Sequence, residues 1–309
     1  MKILITGGAG YLGSVLAHHL VAYGAGHEVT ALDNFRESRS RGSLLHLCMN
    51  AGLHAQNLRI INGDVLDSYL LKYEVAKADA VVHLAAIVGQ SACDEDKERA
   101  KAVNVFSTTL LVGFLKQHQL LVYPCTNSGY GIGSDEPCTE ESPMNPVSWY
   151  GQTKVQGEKI AMLHKRTVSL RFATLFGVSP SMRWDLLVNT YVRDLALTNK
   201  IEVFEGHFRR NFLHVQDAAR AISTVIFRDV PSGIYNVGND RLNTTKMQLA
   251  RLLASRVAGN VLLRAGKDPD QRDYIVSSEK FLSTTLWYPD FSFEQGQIEL
   301  YAAAQTLPR

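Results

Sequence analysis

Short, nearly unbroken apolar runs recur along the first half of the chain, at residues 3–5, 29–32, 58–61, 80–84, 120–123 and 168–172. Each is too short and too continuous for an amphipathic helix, and each fits a strand buried on both faces of a parallel sheet. Between the first two runs, Leu12, Val15, Leu16, Leu20 and Tyr23 fall at helical spacing, and Gly24 and Gly26 punctuate the end before the next run. The alternation of strand and helix, repeated about five times through residue 172, predicts an α/β, doubly wound parallel sheet.

Past Gly177 the unbroken runs thin out. A helix is predicted over 184–197, and Pro231, Gly233, Gly238 and Gly266 break the pattern. This places a first domain at 1–178 and a smaller α/β unit at 179–309. Residues 210–228 read as a strand leading into a helix that returns to the first sheet, so the boundary is not a single cut.

A chain of 309 residues suits two such units. Lys plus Arg number 32 against 30 Asp plus Glu, a formal charge of +2, with 46% hydrophobic residues. That balance gives no general attraction to nucleic acid or an anionic membrane, and is compatible with a local basic pocket for one anionic ligand. No run approaches the roughly 18 apolar residues of a membrane span. The N-terminus enters a strand directly, without the pattern of a signal peptide. Cys48, Cys93, Cys125 and Cys138 lack metal-ligand spacing and read as reduced thiols, so a cytoplasmic protein without a metal is expected.

Gly7-Gly8-Ala9-Gly10-Tyr11-Leu12-Gly13 follows the first strand and opens the first helix. Gly7 and Gly10 lack a Cβ that would keep the backbone from a pyrophosphate, Gly13 permits close helix-to-sheet packing, and the helix N-terminus offers free amides. A dinucleotide is the natural ligand; a tight turn with no ligand is the alternative. Asp33 ends the second strand, 20 residues after Gly13, where its carboxylate would accept from a ribose and repel a 2′-phosphate, favouring NAD. Arg36, Arg39 and Arg41 follow it, either as phosphate ligands or as a solvated run. Asp64 ends the third strand and either meets the adenine or caps its own turn.

Tyr150-Gly151-Gln152-Thr153-Lys154 puts a phenol and an ammonium on one helix face. A lysine beside a tyrosine is expected to favour the phenolate and lower its pKa toward the working pH. Such a tyrosine can take a proton from an alcohol as a hydride leaves the same carbon. Thr126 stands at the carboxyl end of the fifth strand, where ligands of such sheets bind, and can bond the same alcohol. His83 and His214 lie within apolar strands and read as satisfied core residues. Cys93 and Cys125 likewise read as small core residues.

With the glycine run, Asp33, Thr126, Tyr150 and Lys154 in this order, the chain resembles the extended short-chain dehydrogenase/reductase family of nucleotide-sugar epimerases and dehydratases. Further matches are Leu84-Ala85-Ala86, Asn104, Tyr130-Gly131 and the run from Arg210 to Asp217, so the resemblance covers essentially the whole chain. It implies a Rossmann domain at 1–178 and a nucleotide-sugar unit at 179–309. Thr126, Tyr150 and Lys154 would be catalytic. NAD would be held by Gly7, Gly10, Tyr11, Leu12, Gly13, Asp33, Asn34, Asp64, Val65, Leu84, Ala85, Ala86 and Asn104, with Lys154 also on the nicotinamide ribose. The substrate would meet Asn127, Ser128, Thr174, Arg183, Asn189, Arg210 and Arg272, the arginines on its diphosphate. A homodimer through helices near 100–118 and 150–165 is implied as well.

Members of this family that eliminate water carry a Glu two residues after the catalytic Ser or Thr, and those that epimerise carbons 3 and 5 carry a Cys there. This chain has Ser128, whose hydroxyl is a poor acid or base near neutral pH. Hydride transfer at C4 remains, as a 4-epimerase or a net 4-dehydrogenase. The run from Pro124 to Gly133, with Met182-Arg183-Trp184, His207-Phe208-Arg209-Arg210 and Asp268-Pro269-Asp270-Gln271-Arg272-Asp273-Tyr274, is similar to the bacterial GDP-heptose 4-dehydrogenases of capsule biosynthesis. Thr174 departs from the Asn of many relatives. A non-catalytic NAD-binding regulator is the rival from another class, because fold does not fix function; the retained Thr126, Tyr150 and Lys154 argue for chemistry.

Overall fold

The apolar runs of the first half become strands of one parallel sheet: β1 (Lys2–Thr6), β2 (Glu28–Asp33), β3 (Leu58–Asn62), β4 (Ala80–His83), β5 (Leu120–Thr126) and β6 (Thr167–Phe172). The structure, a computed structural model, describes residues 1–22, 26–37, 41–43, 57–266 and 271–307. Tyr23, Gly24, Arg39, Cys48 and residues 268–270, all used in the sequence reading, lie outside the described residues.

Three strands, β7 (Thr174–Phe176), β8 (Lys200–Phe204) and β9 (Arg209–His214), follow β6 before the chain returns with β10 (Gly233–Val237) to the edge of the large sheet. The seven-stranded order is β3-β2-β1-β4-β5-β6-β10, and every pairing is parallel. Strand order reverses between β1 and β4, which opens a crevice at their carboxyl ends. The sequence reading foresaw the returning helix, Val215–Phe227, which packs on the first helix, Tyr11–Ala22. The reading missed β10 and placed residues 210–214 in the wrong sheet: β9 pairs with β7 and with β11 (Asn239–Thr245) in a three-stranded sheet of its own.

One core cluster joins Ile3, Ile5, Leu16, Leu20 and Val122 to Leu213, Ala218 and Ile222, so the returning helix covers one face of the large sheet. A second covers the other face with Leu4, Leu71, Val81, Leu111 and Tyr123. A third, around Phe176, Val192, Phe212, Leu249 and Leu300, belongs to the second unit. There β8 pairs in parallel with β12 (Asn260–Arg264), and the helices Leu187–Thr198, Lys246–Ser255 and Phe293–Gln305 supply apolar faces. The first of these begins three residues later than predicted, since Trp184 and Asp185 lie in the preceding loop. Among the described residues no helix is long and apolar enough to cross a membrane.

Candidate active site

The glycine loop sits in the crevice at the end of β1. Gly7 has φ +70°, and a Cβ there would stand 2.8 Å from the Ala85 amide nitrogen at the end of β4. A Cβ on Gly13 would stand 2.1 Å from the Gly7 carbonyl oxygen, so the helix can come this close to the loop only with glycine. The first amides of the helix Tyr11–Ala22 have no intrahelical acceptors. Asp33 Oδ2 accepts from the Ala9 amide at 3.0 Å and Oδ1 from Phe35 at 2.9 Å, which fixes the carboxylate beside the loop. Burial pushes its carboxyl above the usual range.

Asn34 donates to Asp64 at 3.1 Å, and Asp64 accepts from the Leu66 amide at 3.0 Å while the largely exposed Arg36 approaches at 3.5 Å. Asp64 thus caps its own turn while standing next to Asn34. Val65 is buried behind it, and Leu84, Ala85 and Ala86 continue β4 over the crevice. A loop whose glycine positions exclude side chains, free helix amides and a carboxylate at the end of β2 together fit a dinucleotide.

Ser148 starts the helix Trp149–Ala161 by accepting from the Gly151 amide at 3.1 Å. This helix carries Tyr150 and Lys154 toward Thr126 at the end of β5. Lys154 is 4% exposed, and its ammonium lies 4.4 Å from the centroid of the Tyr123 ring. No hydrogen bond engages that ammonium among the described residues, and burial lowers its pKa. A buried cation left so is suited to a ligand's oxygen.

The expected effect of Lys154 on Tyr150 is corrected here. Burial dominates and pushes the phenol up to about 12, and the cations that oppose the rise are Arg183 and Arg272. Lys154 instead rests on the Tyr123 ring, a partner the motif alone does not disclose.

Thr126 Oγ1 accepts from the Ser128 amide at 3.1 Å and donates to Ser128 Oγ at 2.9 Å. Arg272 Nη1 also donates to Ser128 Oγ, which brings this guanidinium to the reacting end of the pocket. Asn127, between them, is fully buried with neither amide atom partnered, a state that costs about 1–3 kcal/mol unless a ligand or water relieves it. Thr174 is half-buried on β7. Arg183 is 9% exposed and pairs with Asp185.

Three expected ligand contacts are turned inward. Asn104 sits in a π-helical turn, Ala102–Phe106, where Oδ1 accepts from the Ile87 amide at 2.8 Å and Nδ2 donates to the Ile87 carbonyl at 3.0 Å and to Thr153 at 2.9 Å. It therefore fastens the Tyr150 helix to the strap after β4. Asn189 directs its amide to Gly177, Tyr11 and Arg183. Arg210, 2% exposed, donates through Nη1 to the carbonyls of Arg209 and Arg272, bracing the segment that carries Arg272.

The core readings hold. His83 lies between Thr6 Oγ1 at 2.8 Å and Ser107 Oγ at 3.2 Å, and burial lowers its pKa to about 3. His214 bonds Glu299 at 2.8 Å and stacks on Phe291. Cys93 and Cys125 are buried, with the Cys93 thiol pushed up to about 11 and the Cys125 thiol also raised, both by desolvation. Among the described residues no cluster of His, Cys, Asp and Glu is placed to hold a metal ion.

One group escaped the sequence reading: Glu158, four residues past Lys154, forms a buried ion pair with Arg171 of β6. Its signal was present, because a charge inside an unbroken apolar strand requires a partner.

The model of the family described as "NAD dependent epimerase/dehydratase family" matches residues 3–238. A dTDP-glucose 4,6-dehydratase of Streptomyces niveus is 29% identical over 97% of this chain and 91% of its own length. A UDP-glucose 4-epimerase of Corynebacterium glutamicum is 29% identical over 94% of this chain and 91% of its own. The fold is shared with a UDP-glucuronic acid 4-epimerase of Bacillus cereus solved with UDP-glucuronic acid and NAD, at a TM-score of 0.85, 22% identity and 99% coverage of both chains. With a family match across most of its length and a glycine crevice built for a dinucleotide, this chain belongs to the NAD-dependent epimerase/dehydratase family.

Proposed function

We propose that the protein transfers a hydride at C4 of a nucleotide-activated sugar, with a net 4-dehydrogenase acting on a GDP-heptose-like substrate as the leading assignment. The observation that carries the hydride-transfer reading is the packing of the helix that bears Tyr150 and Lys154 against β5, the strand that ends at Thr126, with Ser128 and not a carboxylate two residues further on. Elimination of water needs an acid and a base beside the sugar, and positions 127 and 128 offer an amide and a hydroxyl. The GDP-heptose assignment rests on the sequence resemblance alone. The similarity to a UDP-glucose 4-epimerase supports the second reading, in which the ketone turns over and is reduced again with no net redox change.

NAD, seated on the glycine loop, supplies the hydride acceptor. Tyr150 takes the proton of the C4 hydroxyl as that carbon becomes a ketone. Thr126 turns its hydroxyl proton from Ser128 Oγ, which it meets at 2.9 Å, to that same oxygen. Lys154, whose buried ammonium rests on the Tyr123 ring, would hold the nicotinamide ribose. Asn127 offers its amide to the sugar hydroxyls, and Arg183 and Arg272 meet the anionic or hydroxylated parts of the substrate.

Association of two chains through the Lys97–Lys101, Ser107–Phe114 and Trp149–Ala161 helices is part of the same reading. It is supported by Phe106, 54% exposed between the first two.

The test incubates the protein with NAD and a panel of GDP-, UDP-, dTDP- and CDP-sugars, following NADH absorbance and analysing products by mass and NMR. A product two mass units lighter with stoichiometric NADH supports the dehydrogenase. A mass-neutral product inverted at C4 makes it an epimerase, and a product lighter by one water overturns the argument from Asn127 and Ser128. No change with any sugar favours the regulator.

A further inference from the structure

The loop from Gly177 to Leu186 carries Arg183 into the pocket and is tied to the first turn of the dinucleotide helix. Tyr11 donates its hydroxyl to the Gly177 carbonyl at 2.7 Å. Ser179 donates its own to the Tyr11 carbonyl at 2.7 Å and lies 3.3 Å from Ser14 Oγ. Asn189, fully buried on the helix Leu187–Thr198, closes the ring: Oδ1 accepts from the Gly177 amide at 3.0 Å, while Nδ2 donates to the Arg183 carbonyl at 2.9 Å and to Tyr11 Oη at 3.3 Å. Both protons of the amide and its oxygen are thereby engaged. Gly177 has φ +110°, and a Cβ there would stand 2.3 Å from His214 Nε2, so the chain at the center of the ring has no room to shift on that side.

The two ends of this ring face different ligands. Tyr11 sits in the helix turn whose amides meet the pyrophosphate, so a seated cofactor fixes its backbone. Arg183 Nη2 lies 3.4 Å from the place a Cβ on Gly89 would take, on the opposite wall of the crevice, and its charge acts on Tyr150. A buried amide so fully bonded has one low-energy arrangement, because any displacement strands a buried polar atom.

We propose that Asn189 is a positioning residue: with Tyr11 it clasps the Arg183 loop to the dinucleotide helix, so that NAD on the glycine loop sets where Arg183 stands in the sugar pocket. The effect on the sugar rests on the functional reading above; the clasp itself does not. Linkage makes the effect reciprocal, and a bound sugar nucleotide tightens NAD through the same contacts.

Hydrogen exchange by mass spectrometry on the intact chain, with and without NAD, tests the clasp in wild type, Asn189→Leu and Tyr11→Phe. In wild type, NAD is expected to slow exchange in residues 7–14 and also in 177–190. In both variants it should still slow 7–14 and no longer slow 177–190. With the accepted sugar nucleotide, Asn189→Leu should raise KM by roughly tenfold and, since the Arg183 charge also acts on Tyr150, should move the alkaline rise of the rate to higher pH. Tyr11→Phe removes a single hydroxyl and carries the test if Asn189→Leu does not fold. Equal protection of 177–190 in wild type and Tyr11→Phe, or none in wild type, overturns the proposal. Absence of turnover with every sugar, alongside the expected exchange pattern, would instead sink the functional reading and leave the clasp standing.

Discussion

The Arg171 guanidinium meets the Glu158 carboxylate at 2.8 Å, with the two side chains only 5% and 3% exposed. Glu158 also accepts from Ser169 at 2.6 Å, and Arg171 donates to Tyr130 Oη at 3.0 Å. The pair pins the helix of Tyr150 and Lys154 to β6. Removing one partner leaves a buried charge alone, so Glu158→Gln or Arg171→Met should each cost about 3–5 kcal/mol in urea unfolding. Glu158→Leu combined with Arg171→Met should recover part of that loss. Single variants within about 1 kcal/mol of wild type would show that water reaches the pair.

Tyr150→Phe should keep NAD binding and lower turnover by about 10²–10⁴. Burial holds the Tyr150 phenol up near 12, so the base form is scarce at neutral pH. The oxidative rate of wild type should therefore climb as pH rises through the neutral and alkaline range, and the residual rate of Tyr150→Phe should not. A wild-type profile that falls above pH 7 would remove Tyr150 from the role of base.

Gly13→Ala forces a methyl to within 2.1 Å of the Gly7 carbonyl, and the loop must move. NAD affinity measured by titration calorimetry should fall at least about tenfold, ~1.4 kcal/mol. The fold should persist by circular dichroism, since the glycine lies at the crevice and not in the sheet. Unchanged affinity would mean that the pyrophosphate sits elsewhere.

His83 gives stability its own pH dependence. Its folded pKa is lowered from 6.5 to about 3 by burial, so between those values the unfolded chain takes up a proton that the folded chain refuses. Stability is full above the unfolded value and declines as pH falls below it, by roughly 2 kcal/mol from pH 6.5 to 5 for this one group. Urea unfolding at pH 7 and pH 5 should show a smaller drop in His83→Gln than in wild type. Equal drops would place the acid sensitivity in other groups.

The reach of the sequence follows from how local each determinant is. β1 to β6 were legible because each carries a short, mostly apolar run, the pattern of a strand covered on both faces, and the glycine loop because its close approaches forbid side chains. β10 was not, because Gly233-Ile234-Tyr235-Asn236-Val237 carries a polar residue; Asn236 is buried there with Tyr130 donating to it at 2.6 Å and its own amide donating to the carbonyls of Cys138 and Ser277, all distant along the chain. Tyr150 and Lys154 share one helix, Trp149–Ala161, as their spacing implied. Asn104 and Asn189 were found as polar residues that matter, but an exposed ligand and a buried backbone carbonyl make the same demand on an amide. Only the fold decides between them, as it does for Lys154 and its aromatic seat.

β10 also has a consequence for synthesis. The large sheet is finished by a strand that leaves the ribosome 60 residues after β6, which at roughly 5–20 residues per second is about 3–12 s later. Until then β6 is an open edge with Val168, Leu170 and Phe172 half-covered, and the helix Val215–Phe227 that covers Leu16 and Leu20 has not been made. A fragment ending at residue 178 would be held permanently in that half-covered state. A cut at residue 178 would not free a complete cofactor half, because β10 and the helix Val215–Phe227 lie beyond it, and the nascent form is a natural client for chaperones that shield unpaired strands.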